Sequence, residues 1–218
     1  MTLHINGNKI KDKKEHGVYF GSIPINAIYN GSTKIYQYYP LDPSTPIIYK
    51  SGDYTYEGDL PRGKYQVTIA GYGGNAAQQV SWFVYYSGSG GSGGAVYGTF
   101  NLSEKKHVIL HSAASQNDTS YMKLNGKEAI KCTGGGTVSF DFFMNMSGNT
   151  GGVASVDNSL FAKTELVVKN GNAGSGKTTE GGVAGGASVS NRDNWGAGGA
   201  TMTGAGTPGG IFLQFIGV

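Results

Sequence analysis

The sequence of 218 residues is poor in several features that most soluble proteins have. Charged residues make up 14% of the chain, compared with roughly 25% in an ordinary soluble domain. The surface must therefore consist largely of Ser, Thr, Asn, Gln, Tyr and backbone. The net charge of +3 is small, and the one basic cluster, Lys9–Lys14, is typical of a solvated turn. A nucleic-acid partner is therefore not expected.

Other absences exclude further classes of protein. Cys132 is the only cysteine, so no intrachain disulfide can form, and a small buried side chain is expected there. No apolar run approaches about 18 residues, so we expect no membrane insertion. The N-terminus lacks the charged and apolar pattern of a secretory signal. Acidic residues are scattered, and His and Cys show no metal-ligand spacing, so we expect no catalytic residue, metal or cofactor.

What is present is short alternation of apolar and polar residues bounded by turn residues, which predicts an all-β fold. No amphipathic helix is recognisable. His4–Ile10 and Ala27–Ile35 each contain a strand, an Asn-Gly turn and a returning strand, because Asn-Gly supplies the positive φ angles of a tight hairpin. Leu41–Pro46 contains two prolines and indicates a rigid connector.

These patterns divide the chain into three expected regions. The first forty residues form a short N-terminal β-hairpin region, and residues 41–170 form a glycine-rich β-sandwich. Residues 171–218 form a glycine-rich tip that ends in an apolar core strand, Ile211–Ile216.

Between residues 171 and 210, fourteen of forty residues are glycine. Each glycine loses about 0.5–1 kcal/mol more than alanine on ordering. A flexible linker is not expected, because Val183, Val189, Trp195 and Met202 interrupt the glycines and a core strand follows. A collagen helix would need glycine at every third position and abundant proline. The remaining interpretation is a polyglycine II bundle, in which bare three-residue-per-turn backbones bond sideways in several directions.

The segment from Gly171 to Thr178 matches the phosphate-binding pattern G-x-x-x-x-G-K-[ST] and follows a strand, Glu165–Lys169. Such a loop works at the N-terminus of a helix, whose dipole favours the phosphate. Residues 179–186 contain four glycines and no apolar stripe, so no helix is expected there. We therefore interpret the match as coincidental.

Residues between the glycine runs are the candidates for recognition. Trp195 with its neighbours combines an aromatic ring, a guanidinium and several amides, a set that is enriched at binding surfaces. The alternative is that Trp195 only caps the bundle. The full candidate set is Asn191, Arg192, Asp193, Asn194, Trp195, Gln116, Asn117, Asp118, Thr119, Asn145 and Asn149.

Two segments carry a resemblance to a known family. Ile28–Tyr36 reads Ile-Tyr-Asn-Gly-Ser-Thr-Lys-Ile-Tyr, and Leu60–Gly74 leads from an alternating strand into glycines. Together with the glycine runs and the apolar C-terminal strand, this pattern resembles glycine-rich bacteriophage tail-fibre tip proteins. It is also similar to the polyglycine II adhesins of T-even long tail fibres, although the glycine runs are shorter and more interrupted here.

The resemblance implies a non-catalytic, receptor-binding protein of the virion, made in the host cytoplasm. Its N-terminal region would attach to a phage fibre protein. Loops between glycine runs, at the far end, would contact a bacterial outer-surface protein or polysaccharide. A homotrimer is left open.

Two other classes of function remain open. One is a structural or glycan-binding β-module in which Trp82 and Tyr85 stack on sugars. The other is a hydrolase, acting either on nucleotides at Lys177 or on polysaccharide as a tail-associated enzyme. Flat Thr-, Ala- and Gly-rich surfaces also raise ice binding.

Overall fold

The computed structural model describes residues 41–82, 84–176, 185–199 and 204–217, and, among the first forty residues, Ser32 and six short strands. Those six strands pair as three antiparallel hairpins, β1 with β2, β3 with β4, and β5 with β6. Their bounds are β1 His4–Ile5, β2 Asn8–Lys9, β3 Val18–Phe20, β4 Ile23–Ile25, β5 Ala27–Asn30 and β6 Thr33–Gln37. The hairpins at the two Asn-Gly turns were predicted, whereas β3–β4 was not.

The described part of the chain is all-β, as predicted, with one short 3₁₀ turn at Asn158–Leu160. The remaining strands are β7 Ile48–Ser51, β8 Tyr54–Leu60, β9 Gly63–Ala70, β10 Ala77–Ser81, β11 Val84–Gly88, β12 Ala95–Leu102, β13 Lys106–Ser112, β14 Thr119–Leu124, β15 Lys127–Thr133, β16 Ser139–Phe140, β17 Met146–Ser147, β18 Ala154–Val156, β19 Lys163–Lys169 and β20 Gly210–Gly217. No helix in the described ranges is long and apolar enough to cross a membrane.

Two antiparallel five-stranded sheets form a sandwich. The strand order is β19-β12-β9-β20-β7 in the first sheet and β18-β15-β14-β13-β8 in the second. Alternate residues face the shared core, such as Tyr65, Val67 and Ile69 on β9, all of which are fully buried. The period of two places one apolar face of each sheet inward.

The C-terminal strand β20 lies inside the first sheet, between β9 and β7. Ile211, Leu213 and Phe215 on this strand are buried in the same core as β9. Strand β20, from the region expected to form the tip, therefore shares a sheet with β7, β9, β12 and β19, which lie within residues 41–170.

In the described part of the chain, eight glycine-rich segments lie between strands and have neither helical nor strand structure. We name them in chain order g1 (71–76), g2 (89–94), g3 (134–138), g4 (148–153), g5 (170–176), g6 (185–190), g7 (196–199) and g8 (204–209). Segment g1 leaves the sandwich after β9, and g2 returns into β12. In the same way g3 leaves after β15 and g4 returns into β18, while g5 leaves after β19 and g8 returns into β20. The segments thus alternate in direction.

Backbone hydrogen bonds join these segments sideways at intervals of three residues. The N–H groups of Gly71 and Gly74 in g1 donate to the carbonyls of Gly94 and Gly91 in g2, at 2.9 and 2.8 Å. The same spacing recurs between g4 and g5, and between g2 and the chain at 133–136, where Gly91 and Gly94 donate to Gly136 in g3 and to Thr133 at the end of β15. Side chains and hydrogen bonds along a β-strand repeat every second residue, so this spacing differs from that of a β-ladder.

Segment g2 lies at the centre of this arrangement. Its N–H groups donate to g3, g5 and g7, and its carbonyls accept from g1, g4 and g6. All residues of g2 are buried. A Cβ atom at Gly90, Gly91 or Gly93 would lie closer than 3.0 Å to the backbone of a neighbouring segment. Only glycine allows the backbones to approach this closely.

Candidate functional site

The glycine segments have a near end at the sandwich and a far end away from it. At the far end the chain passes from g1 to g2 through the hairpin β10–β11, and from g3 to g4 through the hairpin β16–β17. The residues between g5 and g6 (177–184) and between g7 and g8 (200–203) lie outside the described residues. We therefore considered the two described hairpins as the candidate site.

The hairpin β10–β11 exposes apolar side chains around its turn. Trp82 at the turn is 92% exposed and has a positive φ of 48°. Val80 and Tyr85 are opposite each other in the register and are both more than half exposed. Side chains alternate between the two faces of a strand, and those of Val80 and Tyr85 lie on a face of the hairpin that is exposed to water. Among the described residues of the hairpin, the indole of Trp82 is the most exposed side chain.

The hairpin β16–β17 displays two phenylalanines. Phe142 and Phe143 are 87% and 79% exposed, and their rings make an edge-to-face contact with centroids 5.5 Å apart. The carboxylate of Asp141 accepts hydrogen bonds from the backbone N–H groups of Phe143 and Asn145, both at 2.8 Å, and from the Asn145 side chain at 2.9 Å. Asp141 therefore fixes the turn that carries both rings.

The two hairpins are tied together at their bases. The N–H of Val138 donates to the carbonyl of Asn75 at 3.0 Å, and the N–H of Asn75 donates to Thr137 Oγ1 at 2.8 Å. The side chains of Val138 and Met146 also lie against Gly88. These contacts join the bases of the two hairpins, whose described residues 77–82, 84–88 and 139–147 we call the aromatic tip.

The aromatic tip is almost without charge. Asp141 is its only charged residue, and its oxygens are engaged within the turn. The described residues contain no group of three or more His, Cys, Asp or Glu side chains able to hold a metal ion. The tip therefore offers apolar contact area rather than acid–base or metal chemistry.

The segment that was expected to carry the main binding loop lies at the near end instead. Residues 191–195 connect g6 to g7 and cross the outer face of the first sheet. Trp195 is only 8% exposed and packs with Ala70, Ala95 and Phe212. A Cβ at Gly210 would overlap its ring, so glycine there makes the contact possible. The structure therefore buries the ring that was expected to be displayed as an anchor, and its packing partners lie on the strands of the first sheet.

The neighbours of Trp195 make internal contacts as well. The guanidinium carbon of Arg192 lies 3.4 Å from the ring centroid of Phe212, an arrangement that favours a cation–π interaction. Asn191 Oδ1 accepts a hydrogen bond from Thr68 at 2.8 Å, and Asp193 Oδ2 accepts one from Tyr49 at 2.7 Å. The carbonyl of Asn194 accepts a bond from Thr207. These contacts hold residues 191–195 against the first sheet, and we call this loop the latch.

The predicted candidates Gln116, Asn117, Asp118 and Thr119 also lie near the sandwich, in and beside the β13–β14 connection. Asp118 Oδ2 is 2.9 Å from His111 Nε2. Burial alone raises the pKa of Asp118, but hydrogen bonds from His111 and from backbone N–H groups lower it more, so the net pKa is below the ordinary value. These interactions stabilise the loop.

Of the predicted candidates, Asn145 alone belongs to the aromatic tip, and its amide supports the turn through Asp141. Asn149 lies in g4, where its amide donates to the carbonyl of Gly174 at 3.2 Å. Phe142 and Phe143 were missed. The run Phe140-Asp-Phe-Phe143, set between two glycine clusters, is the sequence signal that indicates them.

The phosphate-loop match falls partly outside the described residues, which exclude Lys177 and Thr178. Its described part follows β19 and belongs to g5. There the N–H groups of Gly171 and Gly174 donate to carbonyls of g4, at 2.8 Å in both cases. Those amides are therefore not free to bind a phosphate.

No protein-family model matches the chain, and no curated protein matches it either.

Proposed function

We propose that the eight glycine segments form a polyglycine II bundle. A three-residue-per-turn helix directs successive residues to different neighbours and every third residue to the same neighbour. The three-residue spacing of the hydrogen bonds and the six bonded neighbours of g2 support this assignment. It includes g1 to g4, and thus extends well before residue 171.

On this scaffold, the proposed function is non-catalytic recognition of a receptor on the bacterial surface, as an adhesin at the tip of a phage tail fibre. The observation that carries it is the aromatic tip: Trp82, Phe142 and Phe143 are nearly fully exposed on hairpins that a close-packed glycine scaffold supports. Exposed apolar groups of this size mark interaction sites. A rigid support reduces the conformational entropy lost when the tip docks.

The remaining parts of the chain have complementary roles in this proposal. The N-terminal hairpin region would attach to a fibre protein, and the sandwich would hold the glycine bundle. The partner at the aromatic tip would be a component of the bacterial outer surface, in keeping with the resemblance to tail-fibre adhesins.

The proposal is tested by adsorption competition. Purified protein should bind host cells saturably and should reduce the adsorption of a phage that carries this chain. Matched amounts of the protein after thermal unfolding serve as the control. If folded protein neither binds cells nor slows adsorption of that phage, the adhesin proposal is refuted.

A second candidate is a glycan-binding β-module, and the exposure of Trp82 is the observation that favours it. Trp and Tyr rings offer apolar faces for stacking on sugars. Purified surface polysaccharide from the host should then compete with cells for the protein, and Trp82→Ala or Tyr85→Ala should abolish that competition. Competition that persists in both variants would reject this candidate.

A further inference from the structure

The most exposed apolar side chains of the aromatic tip belong to turns. Trp82 lies at the turn of β10–β11, next to Ser81, which is paired with Val84 in the register. Phe142 and Phe143 occupy the turn between β16 and β17. Rings with 92%, 87% and 79% of their surface in water lie in no groove of their own chain. A rigid partner would need matching cavities for each ring, whereas a soft partner can close around them.

Polarity changes along β10–β11 from turn to base, because Trp82, Val80 and Tyr85 lie at or near the turn whereas Gln78 and Ser87 lie nearer the base. On β16–β17 the turn holds Asp141 and Asn145 beside the two phenylalanines, and the base carries small polar residues. Ser139 and Ser147 lie opposite each other at the base of β16–β17, with their hydroxyl oxygens 3.0 Å apart. At the base of β10–β11, Gln78 lies opposite Ser87. An apolar apex above a polar base is the pattern of an element that enters the boundary of a lipid layer.

The chemistry of the tip also fits this boundary. Trp and Tyr are enriched where lipid meets water, because each ring joins an apolar body to a polar atom. Tyr85 is 56% exposed and lies opposite Val80 on the hairpin that carries the indole. The tip has no Lys, Arg or His, so attraction to anionic headgroups would contribute nothing.

We propose that the aromatic tip docks on a lipid layer, with the rings of Trp82, Phe142 and Phe143 buried at its water interface. The inference rests on the proposed recognition of the cell surface and adds the chemistry of the surface met by the tip. It differs from the expectation that the chain does not insert into membranes. That expectation concerned long apolar runs, whereas shallow docking needs only the apices of two hairpins.

The chain contains two tryptophans, and this makes the test specific. Trp82 is exposed, while Trp195 is buried at the near end. On mixing with phosphatidylcholine vesicles, the fluorescence of the full chain should shift to shorter wavelength and should be quenched by bromine atoms on the acyl chains. Trp82→Phe should still sediment with the vesicles but should show neither change, because Trp195 does not touch lipid.

Two further variants measure the contribution of the other rings. Replacing both Phe142 and Phe143 with Ser should weaken vesicle binding by about thirtyfold, if each ring buries about half of its surface. Val167→Ser removes an apolar side chain of moderate exposure from the first sheet and should leave binding unchanged. Phosphatidylglycerol vesicles should bind as phosphatidylcholine vesicles do, at low and at high salt.

The outcomes separate this inference from the proposed function. Protein that binds cells but shows no vesicle binding and no Trp82 shift overturns the lipid inference and leaves the adhesin proposal standing. Cell binding that is lost when surface proteins are digested, or when surface glycans are removed, assigns the tip to a polypeptide or to a sugar and also overturns it. Vesicle binding without any binding to cells would refute the adhesin proposal.

Discussion

Replacing Gly91 with Ala should destabilise the protein more than its small added volume suggests. A Cβ at this position would lie well inside 3.0 Å of the Thr150 carbonyl oxygen, so g2 and g4 would have to move apart by about 1 Å. That movement would strain the bonds from Gly74 N–H to Gly91 and from Gly91 N–H to Gly136, now 2.8 and 3.1 Å. Overpacking costs about 1–3 kcal/mol and two lost hydrogen bonds about 1–3 kcal/mol together.

The expected loss of about 2–6 kcal/mol is a large part of a typical unfolding free energy of about 5–15 kcal/mol. Urea unfolding followed by circular dichroism measures it. Gly176→Ala is the matched control, because a Cβ there meets nothing within 4 Å and its φ is not in the left-handed region. This control should be neutral or slightly stabilising. If the Gly91 variant unfolds within about 1 kcal/mol of the wild type, the close-packed bundle is refuted.

Three further predictions concern the sandwich and the latch. Trp195→Ala should lower the unfolding free energy by about 3–5 kcal/mol, because it leaves a cavity over Gly210; a loss below 1 kcal/mol in urea would contradict the packing. Asp118→Asn should flatten the pH dependence of stability below about pH 4. The pKa of Asp118 is lowered in the folded state, so its contribution is present above the unfolded pKa and is lost as the pH falls through the folded value; equal slopes in both proteins would refute this. Burial raises the pKa of the Cys132 thiol, so a thiol reagent should label it only on unfolding, and rapid labelling of native protein would contradict its burial.

Much of the sandwich could be predicted from the sequence, because one-sided burial leaves a period of two. The alternation over Lys64–Ala70 predicts a strand, and β9 contains all of it; the pattern over Ala95–Leu102 likewise predicts β12 with the same bounds. The pattern over residues 79–86 predicts a single strand, but the structure has a hairpin there, with its turn at Trp82. An aromatic residue with positive φ is a rare turn former, so no local signal marked that turn.

The position of the site was harder to predict than the fold. Whether a loop lies at the near or the far end depends on how many times the chain has crossed the glycine segments. Segments g1 to g4 precede residue 171, in a part of the chain with fewer glycines. The sequence therefore does not indicate that the chain runs along the bundle four times before that point. Trp195 has the composition of a binding anchor, but Phe212 and Gly210 lie under it only because β20 enters the first sheet.

The central claim is that the far end of the glycine scaffold, and not the latch, meets the cell. Its most direct test is the binding of fluorescently labelled protein to host cells, measured for the wild type and for a variant with Trp82, Phe142 and Phe143 all replaced by Ser. These side chains are exposed, so the variant should keep the wild-type unfolding midpoint. The account predicts at least about a hundredfold weaker cell binding for this variant, and unchanged binding for Val167→Ser. Wild-type cell binding by the folded triple variant would contradict the account.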